Sequence, residues 1–162
     1  MLELMARKKP ITANDVADWF INRVNRQEGE IITTDEVLLL VYFAQAWHLA
    51  NTGRVLFKDG IEAWALGPTV VSVFDRFENL HAASLPEIEN AREVTGQKLE
   101  LLVEVERAYG GFKARKLREL ATAEGGPWAE ARRGLSSEAA SDRIIEPETM
   151  KIHYGEKIQQ SR

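Results

Sequence analysis

Gln45 and His48 stand out because they are the polar side chains of an otherwise apolar run, residues 37–50. They lie three residues apart, so a helix puts them side by side. A histidine titrates near neutrality and can move a proton or meet a polar partner. A histidine among apolar neighbours more often satisfies a backbone or carboxylate partner inside the fold. Trp47, Trp64 and Trp128 pose the same choice. Indoles usually belong to a core, where the N–H must find an acceptor. They are also enriched as anchors at binding hot spots. A third group is basic: Arg107, Lys113, Arg115, Lys116 and Arg118 occur within twelve positions that hold no acid. Such a run is either a solvated helix face or a phosphate-contacting surface.

None of these residues assembles into a recognisable catalytic set. There is no cysteine, so disulfides and thiolate metal sites are out. The three histidines, at 48, 81 and 153, lack metal-ligand spacing. No glycine-rich phosphate loop, Gly-x-Ser-x-Gly or His-Glu-x-x-His is present. The residues themselves therefore point away from an enzyme, and no metal or cofactor is expected. A net charge of −4 argues against bulk nucleic-acid binding. Base readout would further need a recognition helix, and none stands out.

The elements that position these side chains follow from periodicity. The 37–50 run is uncharged and apolar on every side, hence surrounded by protein or lipid. It is too short for a membrane span, which needs roughly 20 residues. It is read as a buried central helix over 34–51. Thr33 and Glu36 have capping-box spacing at its start, and Gly53 can end it. Before it, Thr12 opens an amphipathic helix through Val16, Trp19, Phe20 and Val24. After it, Asp59-Gly60 between two short apolar runs predicts a β-hairpin over 54–65. Gly67-Pro68 is expected to close that hairpin and open a helix lined by Val70, Val71, Phe74, Phe77 and His81. Further helices are expected over 98–109, 113–123, 128–133 and 147–160, with 134–142 a loop. Arg132 and Arg133 are expected to extend the basic side. The fold class is thus mainly α: a compact multi-helix domain around a central buried helix with one small β-hairpin. Residues 1–11 read as a flexible lead-in and 12–162 as one domain, a size that can bury a core unaided. Arg7-Lys8-Lys9 is not followed by the apolar run of a secretory signal, so the cytoplasm is the expected location.

Four motifs carry a more specific resemblance. They are Leu40-Val41-Tyr42-Phe43-Ala44-Gln45-Ala46-Trp47-His48-Leu49-Ala50, Ile61-Glu62-Ala63-Trp64 followed by Gly67-Pro68, Tyr109-Gly110, and Pro127-Trp128. Together they resemble the Panacea domain, the family of the SocA-like antitoxins and many phage-associated proteins, over roughly residues 13–154. The resemblance implies a small helical antitoxin from a bacterial or phage toxin–antitoxin pair. Its implied partner is a cognate toxin protein, neutralised by direct binding. The SocA-like branch adds a second implied partner, a AAA+ protease such as ClpXP, to which the toxin is delivered. Two positions depart from the family pattern: Leu39 replaces a common lysine, and Ala121-Thr122 stands where Thr-His is common. The motifs bring Gln45, His48, Glu62, Trp64 and Trp128 into one expected neighbourhood, the site where partner binding is expected. The competing function is a DNA-binding autoregulator using the basic surface from Arg107 to Arg118.

Overall fold

The computed structural model describes residues 9–80 and 83–161. His81, expected on the third helix, lies outside them, as do residues 1–8 of the lead-in. The helices in chain order are α1 (Ala13–Arg23), α2 (Thr34–Thr52), α3 (Val71–Phe77), α4 (Gly96–Tyr109), α5 (Ala114–Ala121), α6 (Pro127–Ala131) and α7 (Pro147–Gln160). Two strands, β1 (Glu62–Trp64) and β2 (Gly67–Thr69), form an antiparallel hairpin between α2 and α3.

α2 is the axis of the molecule. Thr33 and Glu36 form the capping box that their spacing predicts. Gly53 ends the helix at φ 75°, a conformation that favours glycine. Residues 36–46 are all buried, so no face of that stretch is left for water. α1, α4, α5 and α7 pack around it, with α7 making the most extensive contact. Between α2, α4 and α7 lies an aromatic cluster. Phe43 stacks on Tyr109 at 4.1 Å between centroids. The Trp47 indole N–H donates to the Tyr109 hydroxyl at 2.8 Å, and the Tyr42 and Tyr154 hydroxyls lie 3.1 Å apart. Burial pushes the Tyr42 and Tyr154 hydroxyls well above their ordinary pKa.

The hairpin forms, but further along than Asp59-Gly60 predicts. Its turn is Ala65-Leu66, and Gly67 takes φ 130° just after it. Gly60 takes no positive φ, so the expected type I′ turn is absent there. The physical reason is that the flanking groups are bonded elsewhere. Asp59 accepts the Ala13 N–H at the start of α1 and the Ser72 hydroxyl in the first turn of α3. The Leu56 and Phe57 backbones bond to the Gln45 side chain rather than to a strand. Gly67-Pro68 therefore belongs to β2 instead of opening a helix, and α3 starts at Val71. Pro68 has no N–H to donate, which an edge strand tolerates. The other edge of β1 is covered by an antiparallel bridge from Glu62 to Ile144.

Two smaller differences concern helix faces. On α4, Leu102 and Val105 are the buried positions, whereas Val103 is half-buried and Ala108 exposed. On α5, Leu117 is buried but Leu120 is exposed.

Candidate functional site

The five side chains expected to share one neighbourhood fall into two groups. Gln45 and His48 serve the segment that leaves α2. The Gln45 carboxamide donates to the Phe57 carbonyl at 2.8 Å and accepts the Leu56 N–H at 2.6 Å. Both its polar ends are thereby used, and it is buried. The His48 ring, also buried, places Nδ1 2.6 Å from the Arg54 carbonyl, which makes Nδ1 the protonated nitrogen. Burial holds its pKa below the usual histidine value, and Lys98 pushes the same way; the bond to Arg54 opposes both.

Glu62, Trp64 and Trp128 do come together, on the hairpin. The Trp64 indole N–H donates to the Glu62 carboxylate at 2.9 Å. The Trp128 indole N–H, from α6, donates to the Trp64 carbonyl at 2.7 Å. Pro127 at the first position of α6 is buried and aims Trp128 at β1. Trp64 packs edge-on against Phe74 at 4.8 Å. All three side chains remain half-buried, so part of each faces solvent.

One residue that organises this site was expected on the basic surface. Arg132 is 4% exposed. Its guanidinium donates to the Ala63 carbonyl at 2.8 Å, to Ser136 at 2.9 Å and to Ala139 at 2.8 Å. It also lies 5.1 Å over the Trp128 ring. The readable signal was its spacing: Trp128 and Arg132 are one helical turn apart, where a cation can meet an aromatic face. Backbone bonds complete the frame, from Ala63 N–H to Arg143 and from Ile145 N–H to Ile61, each 2.8 Å. Beside the hairpin they leave a groove of about 630 Å³ between residues 62–66 and 138–142.

The residues of the basic run differ in their partners. Arg107 pairs with Glu104, and Lys116 lies 4.0 Å from Glu119. Arg118 turns inward, donating to the Leu66 carbonyl at 2.7 Å and to Asp35 at 3.2 Å. Lys113 and Arg115 are exposed and have no ion pair among the described residues. Arg133, exposed, pairs with Glu130.

Among the described residues no cluster of three or more His, Cys, Asp or Glu is placed to hold a metal ion, and no helix is long and apolar enough to cross a membrane. The architecture is that of a helical domain that displays an aromatic hairpin beside an open groove. Residues 39–129 match the family described as Antitoxin SocA-like, Panacea domain, and the chain belongs to that family. That span begins in α2, takes in the hairpin and ends at Ala129 within α6, so it contains all four motifs. No curated protein and no solved structure matches the chain significantly.

Proposed function

We propose that this chain is the antitoxin of a toxin–antitoxin pair and neutralises its toxin by binding it directly. The family match over residues 39–129 carries the reading. Two features support a role by occupancy rather than catalysis. The histidine of the central helix, His48, is committed to a backbone carbonyl. At the hairpin, half-buried Glu62 lies among the aromatic side chains Trp64 and Trp128, a composition suited to protein recognition. Delivery of the captured toxin to a AAA+ protease such as ClpXP extends the same reading.

The test is a co-expression growth assay with the product of the neighbouring open reading frame. Growth arrested by that product should be restored by this chain, and the two should copurify. Absence of rescue, or rescue without a complex, would contradict direct neutralisation. Rescue that disappears in a host lacking the protease would identify delivery as the route.

A further inference from the structure

We infer that the groove between the hairpin tip and the 138–142 loop is the docking site for the partner, and that its occupant is a protein segment with an apolar side chain flanked by Lys or Arg. The inference rests on the antitoxin reading for the identity of the partner, a segment of the toxin.

Three observations lead to it. The first is apolar exposure. Leu66, at the hairpin tip, is 69% exposed, the highest value among the large apolar side chains of the described residues. It continues a floor made by Trp64, Ala65 and Ala140. A projecting leucine beside a tryptophan is matched by a macromolecular surface, whereas a small-molecule site would enclose its ligand.

The second is charge. Glu62, Glu138 and Asp142 line the same groove. None of the three has an ion pair among the described residues. The nearby cations are committed elsewhere: Arg118 to the Leu66 carbonyl and Asp35, Arg132 to three carbonyls beneath the floor, Arg143 to the Ala131 and Arg133 carbonyls. Carboxylates without an ion pair around an apolar strip are free to accept from cationic groups and set their register.

The third is preorganisation. The Arg132 guanidinium ties one wall, through Ala63, to the other, through Ser136 and Ala139. Trp128 fixes Trp64 from below. Both walls are in place before a partner arrives, which lowers the ordering cost of binding.

A phage-displayed dodecapeptide library panned against the immobilised full chain tests the occupant. Enriched sequences should carry Leu, Phe or Trp with Lys or Arg close by on both sides. Their affinity should fall by about tenfold or more for Leu66→Ser and for the double variant Glu138→Lys/Asp142→Lys. Because these positions are exposed, both variants should melt like the parent chain. No enrichment, enrichment of sequences without basic residues, or equal binding to the variants overturns the inference. The growth assay separates it from the reading it rests on. Rescue by the parent chain that both variants lose supports the groove. Rescue that both variants keep overturns the groove and leaves the antitoxin reading standing. If the parent chain itself gives no rescue, the antitoxin reading fails, and the peptide result alone decides what the groove accepts.

Discussion

Gln45 shows how a single side chain can stand in for a strand. Its carboxamide offers one donor and one acceptor to the Phe57 carbonyl and the Leu56 N–H, as a neighbouring backbone would. Asn22 does the same for Ile88, bonding both its N–H and its carbonyl. Replacing Gln45 with Leu keeps most of the volume but orphans buried backbone groups. Urea unfolding should show a loss of about 1–3 kcal/mol; a loss below about 0.5 kcal/mol would contradict the clip. His48 predicts a pH dependence with a definite sign. Its folded pKa lies below its unfolded value, so the unfolded chain binds the extra proton first. The contribution is therefore present above the unfolded pKa and is lost as pH falls from there through the folded value. His153 is shifted the same way, by burial and then Lys157. The melting temperature should drop between about pH 7.5 and about pH 5.5, and drop less in His48→Gln. An equal drop in that variant would assign the effect to another group. At this scale the sequence is informative about residue type and silent about partner. It marks Gln45 and His48 as unusual, but both bond to backbone that only the folded chain brings near. Arg132 was hidden in part for the same reason: Ser136 and Ala139 are near it in sequence, but its third acceptor, Ala63, lies 69 positions away.

Among the elements, α2 was readable because two independent local signals agree on it. An uninterrupted apolar run requires burial on all sides, and the Thr33–Glu36 spacing marks its start. Leu40 and Phe43, 4% and 1% exposed, sit at its centre. Truncating either to Ala should cost about 2–5 kcal/mol in chemical denaturation, the range for large-to-small core changes. A loss under about 0.5 kcal/mol would mean that the helix is not the axis of the fold. The hairpin was only half readable. Asp-Gly is a strong local turn signal, yet Asp59 is drawn to the Ala13 N–H, 46 positions away in sequence. A non-local bond overrides the local preference, and the turn moves to Ala65-Leu66, where Gly67 supplies the positive φ. The same competition explains the basic run. As a sequence it is one stripe; in the fold, Arg118 faces Leu66 and Asp35 while Arg107 is paired on a different helix.

For the whole molecule, several residues of the family motifs hold the fold together. Phe43, Trp47 and Tyr109 build the aromatic cluster, and Trp128 fastens the hairpin. Gly110 follows the same logic, since a Cβ there would lie 2.6 Å from the Glu106 carbonyl oxygen. Residues that build the fold make the family legible from the sequence. The proposed partner surface joins the hairpin tip, inside the matched span, to residues 138–142, beyond it. The central claim is thus direct binding of a toxin at that face. Hydrogen–deuterium exchange of the chain, with and without the purified product of the neighbouring open reading frame, tests it most directly. Binding should slow exchange at residues 64–66 and 138–143 and leave α2 unchanged, because α2 is already protected by burial. Slowed exchange confined to residues 113–118, or no change anywhere at saturating concentrations of that product, would contradict the account.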